Sequence, residues 1–229
     1  VCAPLQRVYD EIKRWESVPN RKEPFTLHML AWLKKQPEAA DPDSILAALI
    51  DWLEMGLFAG FRKSEWHQDQ GRHNPTNPQP DFQGNTQAFT PEDLEFRHVS
   101  GRPLRHEEVI RLPPAELRSA ILRWRTQKNR RNKAERQYEQ NKNPNGRSFV
   151  TPAQRVMQRY HRLMGHVRTD SPIPLALYRH TDGHVRLITC KETEHWMQRA
   201  AAAVYNFHPE RDADKISKWT SHSLRIGAC

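Results

Sequence analysis

The sequence predicts an α+β fold, mainly α, with a helical body and a small antiparallel β-sheet. Three features carry that expectation. Residues 45–58 are apolar around most of a helical circumference, as a buried central helix is. Start signals for further helices stand at Thr26, at Asp41-Pro42, at Thr151-Pro152 and at Thr220-Ser221. Leu94-Glu95-Phe96-Arg97, the turn Ser100-Gly101-Arg102 and the alternating run 120–125 read as short strands.

Taken in order, residues 4–16 place Leu5, Val8, Ile12 and Trp15 at helical spacing. Pro19-Asn20-Arg21-Lys22-Glu23-Pro24 then breaks any helix and reads as a linker, which sets residues 1–23 apart from a main domain over 24–229. Thr26 opens a helix carrying Leu27, Leu30 and Trp32 to Gln36, and Asp41 with Pro42 opens the central one. From 67 to 87 the one large apolar residue is Phe82, so this stretch is expected to be a long loop or disordered insert. Ala120, Leu122 and Trp124 alternate with Ile121, Arg123 and Arg125, as on a half-buried strand. Val156, Tyr160 and Leu163 mark a helix after Thr151-Pro152, and Thr181-Asp182-Gly183 joins 173–178 to 185–188 as a hairpin. A helix over about 192–205 follows, and Thr220-Ser221 caps a last one.

Composition narrows the function classes. The 36 Lys and Arg against 27 Asp and Glu give +9, and a basic excess of this kind favours polyanionic partners. Residues 118–147 hold ten of the cations and two acids, a net +8 in one segment. No apolar run approaches the ~18 residues of a membrane span, so no membrane partner is expected. Three cysteines without a CxxC pair favour a reducing, intracellular compartment over a disulfide framework. Val1 in place of Met, and an end at Cys229 inside a helical signal, read as a fragment of a longer protein.

Two segments contain more than packing needs. Ala59-Gly60-Phe61-Arg62-Lys63-Ser64-Glu65-Trp66 follows the apolar helix directly, and Thr220-Ser221-His222-Ser223-Leu224-Arg225-Ile226-Gly227-Ala228 lies far downstream. Each sets two functional side chains three residues apart, on one helical face: Arg62 with Glu65, and His222 with Arg225. A guanidinium keeps its charge and grips a phosphodiester with two donors. Two Arg and a His from separate segments fit phosphoryl transfer.

This pair of motifs resembles the catalytic domain of tyrosine recombinases, the phage-integrase-like DNA breaking and rejoining enzymes, and is most similar to their divergent branch in eukaryotic mobile elements. The resemblance spans roughly residues 20–229 in segment order. It implies a tyrosine recombinase core, incomplete at its C-terminus, over 24–229, with residues 1–23 as the tail of a DNA-clamping helical region. It implies site-specific recombination or integration through a 3′-phosphotyrosyl intermediate, on double-stranded DNA, as a homotetramer on two duplexes. No nucleotide or metal cofactor is implied, and the location would be nuclear in a eukaryote. By the same resemblance Arg62 and Arg225 bind the scissile phosphate, Glu65 orients the site and His222 assists proton transfer. A hairpin Lys, here Lys128 with Lys133 as the second choice, protonates the leaving 5′-oxygen. Arg123, Arg125, Arg130, Arg131 and Lys133 would meet DNA phosphates. The family's nucleophilic Tyr lies beyond the second motif, whereas Tyr9, Tyr138, Tyr160, Tyr178 and Tyr205 all precede His222. The 229 residues are therefore expected to be inactive without that segment.

Plainer readings stand beside these. Arg62 and Glu65 could form a helix-surface ion pair worth about 0.3–0.5 kcal/mol. His222 could be a capping residue, and 118–147 a solvated arm. His180, His184, Cys190 and His195 have zinc-ligand chemistry in a spacing that matches no zinc motif, so no metal is expected. The functional alternatives are a non-catalytic, DNA-binding recombinase relic and a basic RNA-associated protein.

Overall fold

The computed structural model describes residues 22–60, 62–67, 88–124, 134–139, 150–165 and 173–227. The expected helix over 4–16, nearly all of the 67–87 insert, and Arg125, Lys128, Arg130, Arg131 and Lys133 lie outside them.

Helix α1, Leu27–Leu33, starts at Thr26, whose hydroxyl accepts the Met29 N–H at 3.4 Å. It ends short of Gln36 because Pro37 holds the residue before it in an extended conformation and opens a 3₁₀ turn, Pro37–Ala40. Helix α2, Ile45–Ala59, is the central element, with Leu46, Leu49, Trp52, Leu53 and Met55 buried. Its cap is Ser44, whose hydroxyl accepts the Ala47 N–H at 3.1 Å, and not Asp41. Asp41 accepts the Asp43 N–H in a preceding turn, which leaves the Pro42 carbonyl outside the helix and available to Arg159 at 2.8 Å.

After the short helix α3, Lys63–Trp66, strands β1, Leu94–His98, and β2, Pro103–Leu104, form the expected hairpin. Helix α4, His106–Val109, leads into β3, Leu117–Trp124, and β4, Ala134–Glu139, completes the sheet. The sheet is antiparallel, ordered β2-β1-β3-β4, with Phe96 opposite Ala120 and Trp124 opposite Ala134. Residues 119–124 and 134–139 of the basic stretch are thus paired strand. Residue 121, on the outer register of the alternation, is buried with residue 119.

Helix α5, Val150–Met164, lies on α2. Gln154 donates to the Val109 and Leu112 carbonyls and Gln158 to that of Ile110, tying it to the chain around α4. Strands β5, Leu177–Arg179, and β6, Val185–Leu187, make the second hairpin, turning through Gly183 at φ +84°. Helix α6, Cys190–Val204, begins two residues before the expected start because Thr189 and Glu192 form a capping box. The short helices α7, Ala213–Ile216, and α8, Ser223–Gly227, close the described chain. Among the described residues no helix is long and apolar enough to cross a membrane.

One buried ion pair ties α2 to α5. Asp51 accepts from Arg159 at 2.8 Å and from Arg155 at 2.6 Å, and the Arg159 side chain is only 3% exposed. Asp51→Ala would leave that guanidinium buried without its carboxylate. Urea unfolding should then show a loss of about 3–5 kcal/mol; a loss below about 1 kcal/mol, the range of an exposed pair, would contradict the assignment.

Candidate functional site

The first motif is built by a helix stop. Gly60 adopts φ +64°, which a side chain disfavours, and its N–H bonds to the Gly56 carbonyl at 2.8 Å. The chain leaves α2 there, and Arg62 becomes the cap of α3 with φ −82° and ψ 153°. Glu65 turns back on it. One carboxylate oxygen accepts the Arg62 backbone N–H at 2.7 Å and the other accepts from Nη1 at 3.0 Å. The Glu65 side chain is 4% exposed and that of Arg62 26%, so the pair is no ordinary surface contact. Glu65 fixes both the backbone and the guanidinium of Arg62, while Nη1 is the one guanidinium nitrogen it occupies.

Behind the pair runs a series of rings. Trp66 stacks on Trp52 with centroids 5.7 Å apart, Trp52 on Phe89 at 6.1 Å, and Phe89 meets Trp124 edge-on at 5.6 Å. The Phe89 N–H also donates to the Glu65 carbonyl at 2.8 Å. Trp124 ends β3, and residues 125–133, which carry Arg125, Lys128, Arg130, Arg131 and Lys133, join it to β4. The root of that connection therefore lies one ring from the turn that holds Arg62.

The second motif rests on segments from both ends of the described chain. Ser223 accepts the Thr220 N–H on its hydroxyl at 3.0 Å, and its carbonyl accepts the Phe25 N–H at 3.0 Å. Trp219 donates its indole N–H to the Pro24 carbonyl at 3.0 Å. Leu224 is fully buried and α8 packs on α2. His222 and Arg225 are both exposed, one turn apart; the helix begins at Ser223, one residue after His222.

Both motifs reach the first turns of α6. His67, two residues after Glu65, bonds through Nε2 to the Thr193 hydroxyl at 2.8 Å. Ser221, one residue before His222, donates its N–H to Glu194 at 3.0 Å. The sequence placed His67 in a polar insert, yet it is 1% exposed and lies against Trp66 with ring centroids 3.8 Å apart. Thr193 and Glu194 carried no motif of their own; only the capping signal at Thr189 and Glu192 marked where their helix starts.

Other expected site residues fall elsewhere. Arg123 donates through Nε to Glu135 on β4 and through Nη2 to Glu95 on β1, both at 2.6 Å, which makes it a cross-strand tie. The hydrogen bonds from Arg123 to Glu135 and then to Glu95 hold its guanidinium above even its usual pKa. Tyr178 is buried and donates to Glu192; burial first, then that carboxylate, pushes its phenol far above the ordinary range. Tyr160 is raised by burial alone. His180 faces Asp182 at 3.1 Å, Cys190 faces His67 at 3.3 Å, and His195 lies edge-on to Trp196. Among the described residues no group of three or more His, Cys, Asp or Glu is placed to hold a metal ion.

The chain matches no known protein family, no curated protein and no solved structure.

The seat of the second motif has a direct test. A Cβ on Gly227 would stand 2.1 Å from the Phe25 carbonyl oxygen. Ala in a helix normally gains about 0.5–1 kcal/mol over Gly. Gly227→Ala should instead cost about 1–3 kcal/mol, because residues 23–25 must move off α8. Thermal unfolding of the variant reads the sign; a raised midpoint would show that the contact is not made.

Proposed function

We propose that this chain is the catalytic part of a DNA strand transferase of the tyrosine recombinase type. The observation that carries the proposal is the junction of its two motifs on α6, through His67 to Thr193 and Ser221 to Glu194. It supports a common surface for Arg62 with His222 and Arg225, which lie about 160 residues downstream of it in sequence.

In this reading Arg62 and Arg225 each hold a non-bridging oxygen of one phosphodiester and stabilise the charge of its five-coordinate transition state. Such fixed donors are usually the largest catalytic contribution. Glu65 keeps Arg62 in place before DNA arrives, so little reorganisation is needed. Lys128, on the connection from Trp124 to β4, protonates the departing 5′-oxygen, and His222 takes the proton of the attacking phenol. Exchange of one phosphate ester for another conserves the bond, so the proposed chemistry requires no nucleotide. The nucleophile is none of the five tyrosines of this chain, and Tyr178 and Tyr160 are held protonated. Arg125, Arg130, Arg131 and Lys133 neutralise flanking phosphates of double-stranded DNA, and assembly is a tetramer on two duplexes.

The phosphate-activating groups can be tested without the nucleophile. A nicked duplex carries a 3′-(p-nitrophenyl phosphate) beside a free 5′-hydroxyl. Attack of that hydroxyl forms the 3′–5′ phosphodiester, breaks the aryl ester and releases p-nitrophenolate. The chain should accelerate joining, and Arg62→Ala or Arg225→Ala should each slow it by about 10²–10³-fold. Binding without joining would favour the DNA-binding relic. Joining unaffected by either substitution would remove the site assignment.

A further inference from the structure

We infer that Thr193 and Glu194 are positioning residues that fix the spacing between the two phosphate-binding arginines; this deepens, and rests on, the strand-transfer reading. Neither touches the phosphate in that reading. Each acts through a neighbour of a motif.

The first turns of α6 are unusually well fixed. Glu192 accepts both the N–H and the hydroxyl of Thr189 at 2.8 Å, and Tyr178 donates to the same carboxylate. Farther along, Trp196, Met197, Ala200 and Ala201 are buried in the main core. Thr193 is fully buried and its hydroxyl donates to the Thr189 carbonyl at 3.1 Å. The same hydroxyl lies 2.8 Å from Nε2 of His67, a hydrogen bond in which one of the two groups donates and the other accepts. That bond holds the chain two residues after Glu65. The next residue, Glu194, accepts the Ser221 N–H one residue before His222, a charge-assisted bond. Successive residues of a helix are separated by a fixed rise of about 1.5 Å. The two motifs are therefore held against adjacent marks on one rigid rod.

Such a role predicts an effect on turnover and not on DNA affinity. A misplacement of about 1 Å can cost roughly 10²-fold in rate. Glu194→Ala removes the acceptor for Ser221, whereas Glu194→Gln keeps an oxygen acceptor and removes the charge. Thr193→Val removes the hydroxyl that bonds His67, and Thr193→Ser keeps it. In the nicked-duplex joining reaction, Glu194→Ala and Thr193→Val should lower kcat by about 10–100-fold with KM for DNA unchanged. Glu194→Gln and Thr193→Ser should recover most of that loss, and the conservative pair also shows that the change is not one of folding. A Glu194→Ala protein with wild-type kcat would overturn the inference while leaving the strand-transfer reading intact. Glu194→Gln as slow as Glu194→Ala would also overturn it, since the charge and not the hydrogen bond would then matter. No joining by the wild-type chain would overturn the functional reading and this inference together.

Discussion

Trp52 is the ring on which the rest of the site closes. It stands midway along the central helix, buried, stacked with both Trp66 and Phe89. Those two rings come from the chain before and after the 68–87 stretch, so their stacking sets where that stretch begins and ends in space. Phe89 passes the constraint to Trp124 at the end of β3, and Trp66 passes it to His67 and so to α6. Stacked and edge-on ring pairs are each worth about 0.5–1.5 kcal/mol beyond the area they bury. Here they also carry position: the Arg62 turn, the root of the basic connection and the start of α6 are all placed relative to one indole.

Charge is arranged with the same economy. The most buried ion pair among the described residues, Asp51 with Arg159, lies midway along α2 and joins helices. Another buried carboxylate, Glu65, holds a partly exposed Arg just past the end of α2. Arg123 is drawn into the sheet by Glu95 and Glu135, and Arg162 is drawn to Asp43 at 2.6 Å. Not every cation of a +9 chain is therefore equally available to a polyanion. Arg225 stands exposed on a short helix whose other side is anchored in the core, and His222 stands exposed one residue before that helix. That outward placement of the second motif supports the proposed phosphate site more than net charge does.

Much of this fold is legible in the sequence where local chemistry decides. The all-round apolar run 45–58, the Thr26 cap, the turns at Gly101 and Gly183 and the capping pair Thr189 and Glu192 each specify their own element. Legibility fails where a distant partner decides. Asp41-Pro42 has every mark of a helix start, but Arg159, more than a hundred residues away, uses the Pro42 carbonyl. His67 reads as part of a polar loop because its partners, Thr193 and Cys190, lie over 120 residues downstream. In the stretch 118–147 the alternation over 120–125 marks one strand, but its pairing with β4, and that of Arg123 with two acids, leaves no signal of its own among so many cations. In the candidate site, spacing alone marked Arg62 with Glu65 and His222 with Arg225; the contacts that join the two pairs could not be read from either.

The central claim is that Arg62 and Arg225 act on one phosphate, and a double-mutant cycle on DNA affinity tests it most directly. Dissociation constants are measured for the wild-type chain, Arg62→Ala, Arg225→Ala and the double variant, on one duplex at one salt concentration. Side chains that share a partner show coupling of about 0.5–3 kcal/mol, and independent distant sites add to within about 0.3–0.5 kcal/mol. The account predicts coupling in the first range, which disappears when a methylphosphonate replaces the phosphate at the cleavage position. Additive losses, unchanged by that replacement, would contradict it.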